Sequence, residues 1–355
     1  MLISEFQNMK VAGMSVALPT GKVSVDSYNE VFGEEMVSGF KSMTGVESVS
    51  RAITEQTASD LGYEAAQNLL NQLACDTDDI GLLIFVTQKP DFRVPSTAFM
   101  LHHRLGLSKD CSCFDINLAC SGFIYGLQTA LAVLKNSEAQ KALIITGDTS
   151  HRTLSPVDRS MIMLFGDSGT ATLVKKDKNS SPIRFALRTD GSKFKSIITP
   201  SGAYRSKNES DEIFSWPDAI ERSYYDTQMK GMDVFGFSIS DVPKLMKDFM
   251  EELSVTPEDY DCFALHQANK YILKQISRKL KVPMDKIPIS LTEYGNNSSN
   301  SVPLVLADHY GDKKGGKLRT MMSGFGAGLS WACCDINLDL DTIYPIVKTD
   351  RYFKN

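Results

Sequence analysis

Residues 113–146 read CFDINLACSGFIYGLQTALAVLKNSEAQKALIIT, and three elements follow one another in them. Cys113-Phe-Asp-Ile-Asn117 reads as a strand. From Ser121 to Leu134 the residues are apolar almost all round, so this segment reads as a helix buried inside the molecule. Ala142-Leu-Ile-Ile-Thr146 is a continuous apolar run, suited to a strand covered on both faces. Together they point to an α/β architecture with largely buried sheets.

The same alternation extends outward. Thr57-Ala-Ser-Asp60 has the form of a capping box, and it opens a helix with Leu61, Ala65 and Leu69 on one face. Leu82–Val86 reads as a buried strand, a helix is expected over Ser96–Leu105, and Ala171–Val174 closes the first half. The second half gives a helix near Val234–Leu253, a strand at Cys262–Leu265 and a helix from Asn269 to Leu280. A helix over Ser301–His309 then leads to strands at Leu318–Ser323 and Leu329–Ile336. No short-period repeat is present, and the two halves share no obvious residue identity. Between them Pro200–Thr227 is polar and aperiodic, so it reads either as part of a substrate entrance or as a surface insertion.

The chain has 355 residues, enough for two domains or two fused halves. Hydrophobic residues make up 42% and charged ones 23%, ordinary values for a soluble globular protein. A net charge of −5 gives a nucleic-acid surface no overall support. The first twenty residues lack the basic and apolar runs of a signal peptide, and no apolar stretch reaches the roughly 18 residues that span a bilayer. The expectation is a cytoplasmic protein without membrane insertion. Seven cysteines, an odd number without a C-x-x-C pair, argue against a disulfide framework. The C-x-C and C-C spacings pinch a tetrahedral metal site, and no metal is expected.

Four features can carry chemistry. Cys120, in Asn117-Leu-Ala-Cys-Ser-Gly122, stands between a strand and the start of the buried helix. The helix dipole and free N–H groups there favour thiolate over thiol, as a nucleophile requires. Gly122 permits a close approach beside it. The alternative is a buried structural cysteine, which is the commoner fate of the residue type. His266, in Ala264-Leu-His-Gln-Ala-Asn269, ends a strand just before a helix, where α/β enzymes place catalytic groups and where a satisfied core histidine also fits. Tyr294-Gly-Asn-Asn-Ser-Ser-Asn-Ser301 is a polar turn feeding a helix, by itself only a capping loop. Ser323-Gly-Phe-Gly-Ala-Gly328 precedes a strand instead of a helix, so it is not a dinucleotide loop. Its glycines suit a turn that aims N–H groups at a developing oxyanion.

In this order the four features resemble the ketoacyl-acyl-carrier-protein synthase III branch of the thiolase-like condensing enzymes. The likeness runs from about Lys10 to Leu338, and its most specific segments are Phe114–Gly126, Arg152–Ala171, Ala264–Asn269, Tyr294–Leu304 and Ser323–Trp331. The resemblance implies a thiolase-like five-layered αβαβα fold of two similar halves, residues 1–190 and 191–355, assembled as a homodimer. It implies that Cys120 takes the acyl group from a thioester and that the N–H groups of Cys120 and Ala327 form an oxyanion hole. His266 and Asn296 would stabilise the enolate formed as malonyl-acyl-carrier protein loses carbon dioxide. Attack of that carbanion on the acyl-Cys gives a 3-oxoacyl product. Arg152, Phe235, Asn269 and Phe325 are the implied substrate-binding residues; the two phenylalanines would line the acyl tunnel, although core packing explains both equally well. Coenzyme A or acyl-carrier-protein thioesters enter as substrates, and no resident cofactor is implied.

The departures from the family pattern concern substrate handling. The Trp and Arg that commonly clamp the coenzyme A adenine are replaced by Gly39 or Phe40 and by Met43. Arg152 keeps the other side of that clamp, and Tyr271 replaces a usual basic residue. These departures make an acyl-carrier-protein-bound or unusual acyl donor a plausible alternative to acetyl-coenzyme A. Lys270, Lys274 and Arg278 fall on one helix face opposite the stripe of Ile272, Ile276 and Leu280, which fits docking of an acidic carrier protein or simply a solvated face. Three rivals stand beside the condensing reading. One is an acyltransferase with another acceptor, one a cysteine hydrolase using Cys120, His266 and Asn296 in papain-like order, and one a non-catalytic scaffold. A hydroxymethylglutaryl-coenzyme A synthase would need a glutamate near Val86–Lys89, where Gln88 stands.

Overall fold

A computed structural model describes residues 1–206 and 212–354. The helix expected from the opening stretch spans Gly122–Lys135, and its Phe123, Ile124, Leu127, Leu131 and Leu134 are all buried. A sheet packs on either side of it, and only Tyr125, Gln128, Thr129, Ala132 and Val133 are half-buried, with Lys135 exposed at its end. Burial of each large apolar side chain contributes about 1.5–3 kcal/mol, so this helix depends on packing more than on local propensity. It lies close to the strand Ile80–Val86, since a Cβ at Gly122 would stand 2.6 Å from Val86 Cγ1 and one at Gly126 2.8 Å from Val86 Cγ2. Gly122 thus serves helix–strand packing.

The first sheet has six strands in the order Val347–Lys348, Met9–Leu18, Ser168–Lys176, Lys141–Asp148, Ile80–Val86 and Ser112–Ile116. The second has five, in the order Leu2–Phe6, Ile183–Thr189, Ser330–Asp339, Lys317–Gly326 and Cys262–Leu265. Helices Ala58–Gln72 and Thr97–Arg104 cover the outer face of the first sheet. Gly122–Lys135 and Ser301–Tyr310 fill the space between the sheets, and Gly231–Glu252 with Lys270–Leu280 cover the outer face of the second. The result is the expected five-layered αβαβα fold. The capping box is present, with Thr57 N–H donating to Asp60 Oδ2 at 2.9 Å and Asp60 N–H to Thr57 Oγ1 at 3.4 Å.

The ends of the chain cross over. Leu2–Phe6 pairs antiparallel with Ile183–Thr189 in the second sheet, whereas Val347–Lys348 returns to the first sheet beside Met9–Leu18. The chain passes from the first sheet to the second between Lys176 and Ile183, and the division expected at 190/191 falls at the end of a strand. The polar stretch 200–227 holds more structure than its sequence announced, although its residues 207–211 lie outside the described residues. Phe214–Ser215 pairs with Glu221–Arg222, and Ile197–Ile198 with Gln228–Met229. A buried Arg222–Asp158 ion pair at 2.7 Å pins this segment to the body, and Phe214, Trp216 and Tyr224 cluster within it. Among the described residues, no helix is long and apolar enough to cross a membrane.

Candidate active site

Cys120, His266 and Asn296 line one chamber of about 730 Å³, although they come from three segments and both halves of the chain. Cys120 lies two residues before the buried helix, where Gly122 N–H donates to Ala119 O at 2.6 Å. Strand Lys317–Gly326 runs directly against it: a Cβ on Gly326 would stand 2.7 Å from Cys120 Cβ and 2.9 Å from Sγ. Gly324 is equally tight, at 2.8 Å from Cys120 O. Gly326 therefore makes room for the sulfur and Gly324 for the Cys120 backbone, which the turn reading did not foresee. The N–H groups of Cys120 and Ala327 both act on the sulfur and favour its anion.

Helix-end effects do not win at Cys120. Burial pushes its thiol up to about 12, Asp148 pushes in the same direction, and Ser298 with the two N–H groups offsets only part. The expected preference for thiolate is thus overturned by desolvation, which penalises the charged form in a dry site. The other six cysteines are also unpaired.

His266 follows strand Cys262–Leu265 and is anchored by its N–H to Ser323 O at 2.7 Å. Its ring meets Phe325 edge-on, with centroids 5.2 Å apart. Burial pushes its pKa down to about 3, against an opposing pull from the Ser298 main chain that falls short of a hydrogen bond to Nδ1. The imidazole is therefore neutral near pH 7. Asn296 is held by its N–H to Leu164 O at 2.8 Å, and its Oδ1 accepts the Ser298 N–H at 3.0 Å. With the oxygen engaged, the amide donor is the end left for the chamber. Gly295 before it has φ 73°, and a Cβ there would stand 2.6 Å from Leu164 O.

Phe235, Asn269 and Phe325 also line the chamber, and Asn269 caps the next helix by accepting from Ile272 N–H at 2.8 Å. Arg152 does not line it. Its guanidinium donates instead to the carbonyls of Ile53 at 3.2 Å, Thr54 at 2.7 Å and Gln56, so it braces a loop. The mouth is apolar: Met36, Phe40, Met43, Met229 and Met232 line it, and Phe235 stacks on Tyr271 with centroids 5.7 Å apart. Arg159 is the one permanently charged side chain in the lining among the described residues. Lys270, Lys274 and Arg278 are exposed on the helix that contributes Tyr271 and Ile272 to the chamber. Sequence reading missed Met36, Arg159, Met229 and Met232, which carry no local motif, and it also missed Asp148 and Ser298 beside the sulfur.

Residues 114–191 match the family model described as 3-oxoacyl-[acyl-carrier-protein (ACP)] synthase III, and residues 250–338 match the model of its C-terminal part. The beta-ketoacyl-[acyl-carrier-protein] synthase III of Clostridium perfringens is 32% identical, over 94% of this chain and 100% of the relative. The crystal structure of 3-oxoacyl-(acyl-carrier protein) synthase from Burkholderia xenovorans superposes with a TM-score of 0.91 at 31% identity, covering 98% of this chain and 99% of that one. For the 3-oxoacyl-(acyl carrier protein) synthase III of Pseudomonas aeruginosa the TM-score is 0.79 at 26% identity, with 96% and 99% covered.

Proposed function

The chain belongs to the 3-oxoacyl-[acyl-carrier-protein] synthase III family, and from that premise we propose that it condenses an acyl thioester with malonyl-acyl-carrier protein in fatty-acid or related acyl-chain biosynthesis. The convergence of Cys120, His266 and Asn296 on one dry chamber carries this reading. Cys120 Sγ attacks the acyl carbonyl, and the N–H groups of Cys120 and Ala327 hold the oxyanion. Malonyl decarboxylation then places negative charge on a thioester oxygen. The neutral His266 ring and the Asn296 amide stabilise that charge without a strong base. Discharge of the acyl-Cys by the carbanion forms the carbon–carbon bond. The protein's own groups account for these steps, with coenzyme A or carrier thioesters as substrates and no resident cofactor.

The donor is carrier-bound in this reading, because the mouth offers methionines where an adenine clamp would stand and Arg152 is engaged with backbone carbonyls. Lys270, Lys274 and Arg278 provide a basic docking face for an acidic carrier protein. A homodimer is part of this reading, supported by the free edge strand Ser112–Ile116 and the exposed Phe92, Val94 and Phe99 near it in sequence. The cytoplasm is its site of action.

The deciding experiment weighs the intact protein after incubation with coenzyme A and carrier-protein thioesters, with Cys120→Ala as control and malonyl-acyl-carrier protein as chase. An acyl mass on the wild type alone, discharged into a 3-oxoacyl product, is the expected result. An acyl group that malonyl cannot discharge would instead make the protein an acyltransferase with another acceptor. No loading from any donor would sink the proposal.

A further inference from the structure

The two N–H groups assigned to the oxyanion come from opposite halves of the chain. Cys120 stands ahead of the buried helix, and Ala327 lies in the turn between strands Lys317–Gly326 and Ser330–Asp339. An oxyanion is stabilised only when both donors aim at one point. Gly324 and Gly326 bring the strand before the turn against Cys120 and Ser121, and a Cβ on Gly324 would stand 2.9 Å from Ser121 Cα. Packing of this kind sets how closely the two segments approach, whereas aim requires directional contacts.

Ser121 supplies one. It occupies the cap position of the buried helix, where a serine ordinarily accepts from an N–H of the first turn, and it makes no such bond. Its hydroxyl turns instead to the other half of the chain, where Ser121 Oγ and Ser330 Oγ are 2.7 Å apart across 209 positions of sequence. Ser330 pairs with Gly326 across the turn, and its Oγ–H donates to Ala327 O at 3.0 Å. A serine has a single hydroxyl proton, so that bond uses the one on Ser330, and Ser121 must be the donor to Ser330. The order is therefore Ser121 Oγ–H to Ser330 Oγ, then Ser330 Oγ–H to Ala327 O. Gly328, at φ 139°, leaves space for this arrangement, since a Cβ there would stand 3.4 Å from Ser330 Oγ. On the other side of the turn, Leu329 N–H donates to Asp190 O at 3.0 Å and Asp190 N–H to Leu329 O at 2.9 Å. Ser121 and Ser330 are 1% and 4% exposed, so bulk water does not compete for the chain of hydroxyls.

Resting on the reading that Cys120 and Ala327 hold the oxyanion, we propose that Ser121 and Ser330 are positioning residues for it. They tie the turn that carries Ala327 to the residue after Cys120, and so fix the two N–H groups at one point. Neither serine lines the chamber, so each acts through the main chain. The tie serves both steps that put negative charge on the acyl oxygen, namely loading of Cys120 and attack of the carbanion on the acyl-Cys. Loss of carbon dioxide from the malonyl group draws on His266 and Asn296 and does not depend on it. Asn296 is held by a separate contact, its N–H to Leu164 O at 2.8 Å.

The test is single-turnover acyl loading read by intact mass over a range of donor concentrations. Beside it runs carbon dioxide release from malonyl-acyl-carrier protein by the unacylated enzyme, which leaves acetyl-acyl-carrier protein. Ser330→Ala removes the bond to Ala327 and should slow the maximal loading rate about 10²-fold, as a displaced oxyanion donor does. Ser121→Ala leaves that bond in place and should slow loading about tenfold, the equivalent of one neutral hydrogen bond. The double variant should match Ser330→Ala, because Ser121 acts only through Ser330. In all three, the donor concentration for half-maximal loading and the rate of carbon dioxide release should stay within about twofold of wild type. Ser330→Thr keeps the hydroxyl and should restore loading. Wild-type loading by Ser330→Ala, or losses that multiply in the double variant, overturn the proposal. So does an equal loss of loading and decarboxylation, which would mark a general loosening of the fold. Should Ser330→Ala not fold, wild-type loading by Ser121→Ala alone overturns it. These outcomes leave the parent reading standing, whereas a wild type that loads nothing sinks both.

Discussion

At the floor of the chamber Cys120, His266 and Asn296 are 9%, 2% and 4% exposed, whereas at its mouth Met43, Met232 and Tyr271 are 62%, 81% and 47% exposed. The floor residues are held by main-chain hydrogen bonds from neighbouring segments, as with His266 N–H to Ser323 O and Asn296 N–H to Leu164 O. The mouth is made of flexible methionines and one stacked aromatic pair, which adapt to a guest at little cost. Reaction chemistry is thus built into the fold itself, while choice of donor rests on side chains that can change without disturbing the core. Substitutions at the two levels should fail differently.

The largest effect belongs to the floor. Asn296→Asp keeps an oxygen to accept the Ser298 N–H but replaces the amide donor with a charge. Condensation should fall by 10²–10³ or more, equivalent to about 2.7–4 kcal/mol, while Cys120 still loads. Parallel assays of acyl mass and 3-oxoacyl product would check this. Equal loss of both steps would break the separation of roles. Next is Gly326→Ala, whose methyl would press on Cys120 Cβ and Sγ at 2.7 and 2.9 Å. Overpacking of this kind costs about 1–3 kcal/mol, so loading should drop at least tenfold with a lower melting temperature. Wild-type loading by this variant would show that strand Lys317–Gly326 does not define the sulfur's position.

How far each level could be read from sequence follows the same division. The buried helix, the strands at 82–86, 142–146 and 262–265, and the capping box are local patterns, and each appears where its periodicity placed it. Strand Leu2–Phe6 was missed because its partner Ile183–Thr189 lies almost the whole first half away, and no local signal encodes such pairing. The charge state of Cys120 was misread for a related reason. Helix-end effects are visible in sequence, but the desolvation that outweighs them comes from segments such as strand Lys317–Gly326, brought in from the other half. Arg152 illustrates the limit of a motif, since the residue type matches while its guanidinium is engaged with backbone carbonyls.

At the mouth the effects should be smaller and specific to the donor. Met43→Arg would restore a cation beside the position left by the usual clamp. It should lower KM for a coenzyme A donor by up to about tenfold, in keeping with one charge-assisted contact of about 1.5 kcal/mol, and leave a carrier-bound donor unchanged. No change with coenzyme A would mean that the missing arginine is not what separates this mouth from a coenzyme A site.

The smallest expected effect lies farthest from the sulfur. Lys270, Lys274 and Arg278 are exposed at successive turns of one helix face, so each interacts with a partner through solvent. Exposed pairs contribute about 0.2–1 kcal/mol each, and salt screens them. Reversing all three to glutamate should therefore raise KM for a carrier-bound substrate by about tenfold at low ionic strength. The difference should shrink as salt approaches physiological levels, with kcat and the reaction of coenzyme A substrates unaffected. The helix is anchored by Ile272, Leu273, Ile276 and Leu280 on its opposite face, so the fold should tolerate the change. An equal rise with both substrates would mean that the charges act on the chamber through Tyr271 and Ile272, and the mouth would then be less independent of its surroundings than its exposure implies.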